Sequence, residues 1–349
     1  MTTDMPAAAS DAFARTGRPT IYDVALACGV STSTVSRVFG NPNRVSAVMR
    51  ERVEAAAVEV GYTPRPLARV EAPGRSRTLT LVVSDIANPY YASLIKSAEA
   101  QARAHNYTLV LTDSDESPRV EAENLRHVLA MSRGGILATS RLSDETIRAL
   151  ARHRPLVVVN RRIEGLPSVV ADTANGMRAA VRHLAGLGHR QLAYLYGPRN
   201  SWANVQRWRA VRDEAAALGL PVRLLGPFTP DQQGGREAAG ALTRAGVGAA
   251  VAYNDLIALG ALRQLQRHGI RVPEQLSLIG CDDIAGADMV APALTTIGGP
   301  TGVIGRSAVD LLHAAVAGGR ATPASLRFET QLIVRGSTGP AGTVATGGN

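Results

Sequence analysis

The chain has 349 residues, 45% of them hydrophobic, which is enough for two or three folded domains with apolar cores. Its net charge is +9, and the segment from Arg15 to Arg77 holds ten arginines against five acidic residues. Residues 1–17 lack a secretory signal, and no apolar run approaches the ~20 residues that span a bilayer. We therefore expect a cytoplasmic protein with no membrane partner, whose basic amino-terminal part binds a polyanion.

The use of cysteine and histidine gives no sign of a metal site. Cys28 and Cys281 lie far apart in apolar or small-residue settings, so neither a disulfide framework nor a zinc knuckle is indicated. The sequence lacks the phosphate-binding pattern G-x-x-x-x-G-K-[ST], the nucleophile motif G-x-S-x-G and any metal-spaced His/Cys cluster. We expect no cofactor, no metal and no enzymatic activity.

The segment from Thr20 to Asn41 has the spacing of two short helices joined by a tight turn. Its first half carries apolar residues at i, i+3, i+4 and i+7, which lie on one helix face: Ile21, Val24, Ala25 and Cys28. Gly29 follows where a helix ends with a left-handed residue, and Ser31 is placed to cap the next helix. The segment therefore predicts a helix-turn-helix.

The second helix of this pair predicts a base-reading surface. Its apolar residues are spaced to pack inward, which leaves four polar side chains outside near its start: Thr32, Ser33, Ser36 and Arg37. Short hydroxyls and an arginine fork reach donors, acceptors and methyl groups in the DNA major groove. A third amphipathic helix, capped by Ser46 and ended by Gly61, closes a small core.

The motif T-I-Y-D-V-A-x-x-x-G-V-S-x-x-T-V-S-R-V, with G-Y-T-P from Gly61, resembles the headpiece of the LacI/GalR family of bacterial transcription regulators. The resemblance implies a headpiece at 18–62 and a hinge at 63–77, after a disordered leader at 1–17. Ten residues are then expected to contact double-stranded DNA: Thr20, Tyr22, Ser31, Thr32, Ser33, Ser36, Arg37, Ser46, Leu67 and Arg69.

The hinge departs from the family pattern. In the family a leucine from each subunit wedges between bases of the minor groove, whereas Glu71 occupies that position here. Pro66 and Pro73 also limit the length of a hinge helix. Either Leu67 or Val70 takes the wedge in a shifted helix, or this protein kinks its operator less than its relatives do.

From Leu79 onward, short apolar runs alternate with helix-length segments. We expect strands beginning at Leu79, Thr108, Gly134, Leu156, Leu192, Ala250 and Leu276. Helical patterns between them include Tyr91 to Asn106, Val120 to Arg133, Asn175 to Leu187 and Leu256 to His268. The alternation predicts doubly wound parallel sheets, which bind ligands at the carboxyl ends of their strands.

Over this span the chain resembles the periplasmic-binding-protein-like core of the same family, with two lobes crossed by three strands around a small-molecule cleft. The implied core at 78–336 divides into a first lobe, 78–172 with 298–326, and a second lobe, 173–297 with 327–336. The tail at 337–349 carries no leucine heptads, so we expect it to be flexible and the protein to be a homodimer.

Polar residues follow the expected strands where the family binds its effector. The resemblance assigns a sugar or nucleoside site to Tyr90, Tyr91, Asn160, Arg161, Asn204, Phe228, Asn254 and Asp282. Carboxylates and amides at converging strand ends suit polyhydroxylated ligands. Val205 stands where relatives carry an arginine that clamps the effector, and Asn204, Trp202 or Arg207 could replace that clamp.

These observations predict a sequence-specific DNA-binding transcription regulator, and specifically a repressor. As a dimer it is expected to bind a palindromic operator under the control of an effector in the cleft between the lobes. A solute-binding protein of the same two-lobed fold, without a regulatory role, is the alternative. The headpiece at 18–62 and the missing signal sequence argue against that alternative.

Overall fold

The structure, a computed structural model, describes residues 19–40, 45–62, 76–318 and 324–342. The chain forms two compact units that divide between Arg75 and Ser76. The predicted leader at 1–17 and hinge residues 63–75 lie outside the described residues. None of the described helices combines the length and the apolar character needed to cross a membrane.

The described part of the first unit consists of three helices: α1 (Ile21–Cys28), α2 (Thr32–Gly40) and α3 (Ala47–Glu59). The Asp23 carboxylate accepts hydrogen bonds from the backbone N–H and the hydroxyl of Thr20 at the start of α1. Gly29 ends that helix with a φ of 64°. Ser31 and Ser46 accept hydrogen bonds from first-turn N–H groups of α2 and α3. The predicted helix-turn-helix with its third helix is confirmed.

The apolar faces of these three helices form one small core. Its buried members are Val24, Ala25, Cys28, Val35, Val38, Val53, Ala56 and Ala57. The Cys28 thiol donates to the Val24 carbonyl at 2.9 Å, so this cysteine is a packing residue. Helices of this length are marginal in water when isolated, so their mutual burial stabilises the unit.

The first lobe of the second unit is built on a parallel sheet of six strands: β1 (Thr78–Val83), β2 (Thr108–Asp113), β3 (Gly135–Ala138), β4 (Leu156–Val159), β5 (Ser168–Asp172) and β11 (Ser325–Glu329). Their order is β11-β5-β4-β3-β1-β2. Four helices cover it: α4 (Tyr90–Ala104), α5 (Pro118–Met131), α6 (Asp144–Ala151) and α11 (Thr301–Val316). Ile136 of β3 packs in a cluster with α4 and α11, and Leu137 packs with α5 and α6, so both faces are covered.

The second lobe repeats this design on a parallel sheet of four strands: β6 (Leu192–Leu195), β7 (Val222–Leu225), β8 (Ala249–Ala252) and β9 (Ser277–Ile279), in the order β7-β6-β8-β9. Its helices are α7 (Thr173–Gly186), α8 (Trp202–Ala217), α9 (Gln232–Ala245) and α10 (Asp255–Arg267). Ala250 packs with α9 and α10, whereas Val251 packs with α7 and α8. The predicted doubly wound architecture is confirmed.

The described chain passes between the two sheets after Asp172, after Gly298 and after Glu329. β10 (Thr296–Gly298) and β12 (Gln331–Ile333) pair antiparallel beside these passages. The sequence placed the end of the first lobe at 326, but β11 continues in the first sheet to Glu329, which pairs with Asp172. The boundary lies later because the strand pairing continues for three more residues.

The tail was expected to be flexible from Ser337, but the described part of it packs on the second lobe. The Ser337 hydroxyl is buried, accepts from Thr295 N–H at 2.8 Å and donates to the Leu278 carbonyl at 2.6 Å. His189 Nε2 lies 3.2 Å from the Gly339 carbonyl. The expectation is therefore wrong for 337–342, because buried hydrogen bonds hold this segment; residues 343–349 lie outside the described residues.

Candidate functional site

The outer surface of α2 carries a group of small hydroxyls. Ser31 Oγ lies 2.8 Å from Ser33 Oγ and 2.9 Å from Thr34 Oγ1. Arg37 is exposed and pairs with no carboxylate among the described residues. Thr32 and Ser36 are half-buried on the same helix. This surface offers hydroxyl donors and acceptors and an exposed guanidinium, which are groups that can bond base edges.

The other residues expected to contact DNA divide into three groups. Tyr22 is 68% exposed on α1, so its ring is available. The hydroxyls of Thr20 and Ser46 make hydrogen bonds in the first turns of α1 and α3 and so stabilise the starts of these helices. The N–H groups at the start of a helix attract phosphate. Leu67 and Arg69 lie outside the described residues.

Two small cavities lie between the lobes, each of about 20 Å³. Five of the expected effector residues line them: Tyr90, Asn160 and Asp282 line both cavities, and Tyr91 and Asn254 line the second. Since a cavity of this size holds about one water molecule, the cleft is nearly filled by its own side chains.

Arg207 occupies the cleft floor, although the family register placed the clamp at Val205. Its side chain is 7% exposed, and Nη2 donates to Asp282 Oδ1 at 3.1 Å. Nη1 donates to the Tyr253 carbonyl, Nε donates to Thr173 Oγ1 at 3.3 Å, and the guanidinium carbon lies 5.0 Å from the Tyr253 ring centre. Of the three residues considered as replacements for the clamp, Arg207 is the one that lines the cleft.

The first lobe supplies a second ion pair to the same cleft, with the arginine buried and the carboxylate half-buried. Arg141 is 2% exposed in its side chain and donates from Nε to Glu116 Oε2 at 2.6 Å and from Nη2 to Oε1 at 3.0 Å. Both residues line the second cavity. Sequence reasoning missed this pair, although both residues follow strands, Glu116 after β2 and Arg141 after β3, which was the available signal.

Tyr90 connects the two lobes. Its hydroxyl accepts from Asn160 Nδ2 at 2.6 Å, and its ring packs against the apolar clusters of both lobes. Burial raises the pKa of Tyr90, and the nearby Asp282 carboxylate raises it further, so the hydroxyl stays protonated. Tyr91 is buried beside it and bonds Ser84 Oγ at 2.7 Å. These two rings are fixed parts of the cleft wall.

Backbone strain concentrates where strands end at the cleft. Of the seven residues other than glycine with a positive φ in the described chain, five lie here: Glu116, Thr139, Asn160, Asp282 and Asp283. Thr139, at 57°, is β-branched and therefore particularly unfavourable in this region. Such strain persists where surrounding contacts hold the backbone, and it is common at ligand sites.

Three of the expected effector residues do not line the cleft cavities. Arg161 donates to the Ser140 and Leu142 carbonyls at 3.1 and 2.6 Å and pairs with Asp144. Asn204 uses both side-chain atoms internally, accepting from Tyr194 and donating to a carbonyl of the loop before α8. Phe228 packs against the apolar core of the second lobe. These assignments are corrected, because neighbouring backbone and core groups already use the side chains.

Near Asp282 lies a second buried carboxylate, that of Asp255, which directly follows Asn254 after β8 but was not among the expected effector residues. Asp255 is fully buried, accepting from Thr296 Oγ1 at 2.5 Å and from Ile284 N–H at 2.9 Å. Burial raises the pKa of Asp255 to about 7, and Asp282 adds to the rise. Burial also raises the pKa of Asp282, with Arg207 opposing the rise.

Replacing Asp255 by Asn should remove a pH-dependent loss of stability. An unfolded aspartate ionises near pH ~3.9, so between there and about pH 7 the native state retains a proton that the unfolded state has lost. This difference in bound protons destabilises the wild-type fold increasingly as the pH rises across that range, by on the order of 4 kcal/mol at most. Above about pH 7 the destabilisation stays constant. Melting temperatures measured from about pH 5 to about pH 8 should show that D255N becomes more stable relative to wild type as the pH rises. A constant difference would contradict this assignment.

Both units of the chain are similar to known proteins. Residues 20–65 match the family described as bacterial regulatory proteins, lacI family, and residues 181–338 match the periplasmic binding protein-like domain. The chain is 34% identical to the HTH-type transcriptional repressor CytR of Escherichia coli (strain K12), covering 91% of this chain and 96% of that protein.

Solved structures show the same fold over nearly the whole chain. A complex of the transcriptional regulator CelR with cellobiose has a TM-score of 0.69 and 32% identity, covering 92% of this chain and all of that one. The lac repressor dimer bound to operator and the anti-inducer ONPF has a TM-score of 0.72 and 26% identity, covering 92% and 99%. The expectation of a DNA-binding regulator and not an enzyme is thereby confirmed. The chain belongs to the LacI family of bacterial transcriptional regulators.

Proposed function

We propose that this regulator is a repressor that binds palindromic operator DNA as a homodimer in the cytoplasm. A neutral polyhydroxylated molecule in the cleft between the lobes controls it, with a sugar as the first candidate and a nucleoside as the second. The observation that carries the proposal is the charge-balanced, polar lining of that cleft, in a chain that also presents an exposed polar recognition helix.

The DNA part of the proposal rests on the surface of α2. In a dimeric helix-turn-helix protein two such helices enter successive major grooves, ~10 base pairs apart or wider, which requires a two-fold symmetric operator. Ser33 and Arg37 are the exposed polar side chains in the middle of that surface. We assign sequence choice to Ser33 with Thr32, and a base or phosphate contact to Arg37. The relative CytR is named a repressor, which supports the same role here.

Arg37→Ala in the full chain should weaken operator binding about fivefold or more, because a good base contact contributes ~1–3 kcal/mol. The operator is first selected from a random duplex library, and affinity is then measured by fluorescence anisotropy at several salt concentrations. Loss of discrimination against the wrong base indicates base readout, whereas a uniform loss with a salt slope reduced by ~1 indicates a phosphate contact.

Arg236→Ala is the matched control, because it removes the same charge from an exposed site on α9. It should leave operator affinity unchanged. Equal losses in the two variants would show that the effect is overall charge and not recognition by α2.

The effector part rests on the charges in the cleft. Each lobe contributes one arginine already paired with a carboxylate of the same lobe, Arg207 with Asp282 and Arg141 with Glu116. The lining is therefore neutral overall, which disfavours a ligand with a net charge and suits hydroxyl groups, since amides and carboxylates can both bond them. The CelR structure contains cellobiose, which supports a sugar here.

Ligand binding would have to change the angle between the lobes. Cavities of about 20 Å³ cannot hold a sugar, and Tyr90 packs against both lobes across the cleft. Entry of a sugar therefore separates the lobes and removes the contact of Tyr90 with one of the two apolar clusters. A ligand that favours one lobe arrangement changes the population of states that bind the operator.

Thermal unfolding of the full chain with neutral sugars and nucleosides tests this site. A ligand at a hundred times its Kd adds ~2.7 kcal/mol, which raises the melting temperature by several degrees. Asp282→Asn should lower the affinity for that ligand at least about tenfold, because the carboxylate is the hydroxyl acceptor on the cleft floor.

Asp213→Asn on α8 is the matched control, because it removes an exposed carboxylate that pairs only with neighbouring Arg212. It should bind the ligand as wild type does. Ligand binding that survives Asp282→Asn in a folded protein would place the effector elsewhere.

A further inference from the structure

A larger pocket lies beside the cleft, on the other side of the chain passage from Asp172 to Thr173. It has a volume of about 340 Å³, which is within the range of small-molecule sites. We call it the side pocket and define it by six lining residues: Arg162, Ala171, Asp172, Trp202, Gln206 and Arg327. Ala171 and Thr173 line both the side pocket and the first cleft cavity, so only the passage itself separates the two spaces.

The side pocket carries excess positive charge, unlike the cleft. Arg162 is exposed and pairs with no carboxylate within the described residues. Arg327 bonds Asp172, but its side chain is 65% exposed and keeps further N–H donors. Two guanidinium groups against one carboxylate leave a single net positive charge. This balance favours one anionic group on a ligand.

Two helices begin at the side pocket and add to its positive potential. Thr173 is the first residue of α7 and Trp202 the first of α8, and both line the pocket. These helices have 14 and 16 residues, so their starts carry a partial positive charge, although Ser201 already accepts the Asn204 N–H at the start of α8. The arginines and the helix starts therefore favour an anion independently.

The side pocket also has a platform for a ring. Trp202 is half-buried, and Gln206 follows it by four residues on α8, so indole and amide lie on one helix face. Aromatic faces stack on sugar and other rings, and an amide beside them can donate and accept hydrogen bonds. The combination fits a ring that carries hydroxyl groups.

We propose that the side pocket is a second small-molecule site, which takes a hydroxylated ring bearing one carboxylate or phosphate, such as a sugar acid or a sugar phosphate. Trp202 stacks on the ring, Gln206 bonds its hydroxyls, and Arg162 with Arg327 binds the anionic group. The first lobe supplies the arginines and the second supplies the tryptophan and the glutamine, so the ligand contacts both lobes. It therefore gives this regulator a second input, separate from the neutral effector in the cleft.

Tryptophan fluorescence of the full chain tests the site directly, because the chain has only two tryptophans. Trp208 stacks on Tyr194 with ring centres 5.6 Å apart and does not line the side pocket, so it is the matched control. We expect glucose 6-phosphate or glucuronate to change the fluorescence saturably in wild type and in Trp208→Phe. The change should disappear in Trp202→Phe.

Arg162→Gln should raise the Kd of the same probe at least about tenfold, because it removes a charge-assisted contact from an exposed position that the fold does not need. Asp213→Asn, an exposed change on α8 outside the pocket lining, should leave this Kd unchanged. A response to one probe and not the other supports the site and identifies its anion as phosphate or carboxylate.

Three results would overturn the proposal. The first is no saturable change with either probe at millimolar concentration. The second is an equal response to glucose, which carries no charge, or to inorganic phosphate, which carries no ring. The third is an unchanged Kd in Arg162→Gln with circular dichroism identical to wild type. None of these results bears on effector binding in the cleft, which the Asp282→Asn comparison measures separately.

Discussion

The structure of the second lobe depends on the buried charge of Arg207. A guanidinium removed from water is destabilising unless it is paired and its donors are satisfied. Here the donors go to Asp282 after β9, to the Tyr253 carbonyl after β8 and to Thr173 at the passage between the lobes. One side chain from α8 thus joins two strand ends and one interlobe passage. The cleft floor is consequently a rigid part of the second lobe.

The same constraint explains the carboxylates and the strained backbone around this residue. Asp282 must reach inward from a turn, and it does so with a φ of 129°. Asp255 lies beneath it and accepts hydrogen bonds from the turn and from β10, which holds that backbone in place. On the first lobe Arg141 and Glu116 form a similar arginine–carboxylate pair, and Glu116 again has a positive φ. Both walls of the cleft are therefore preorganised, and motion is expected between the lobes and not within them.

Some elements of the structure could be predicted from the sequence more accurately than others. The headpiece was predicted accurately because its signals are local. The Gly29 turn, the Ser31 and Ser46 caps and the apolar spacing each lie within a few residues of the helix that they define. Seven of the strands were also found, but β5 was not, although its first three residues are buried. β7 was missed because it is an edge strand with exposed residues, Arg223 among them, so only pairing with β6 defines it.

Sequence reasoning succeeded less well in the cleft, because a strand-end position does not fix where a side chain points. Asn160 and Arg161 are neighbours in the chain, yet the first faces the cleft and the second bonds the backbone of the adjacent loop. Asn204 matched the family register, but its side-chain atoms already make hydrogen bonds to Tyr194 and to the preceding loop. Arg207 was one of three alternatives, and only the packing of α8 against β8 and β9 distinguishes it. The hinge question raised by Glu71 concerns residues outside the described ranges and stays a prediction.

Occupancy of the cleft is expected to change the affinity of this regulator for its operator. The direct measurement is the anisotropy of a selected, labelled operator titrated with the full chain, with and without a saturating neutral sugar that raises the melting temperature. Because the coupling is reciprocal, the account predicts a change in DNA affinity of ~5–150-fold, together with an equal change in sugar affinity when operator is bound. The same operator affinity at saturating, demonstrably bound sugar would contradict it.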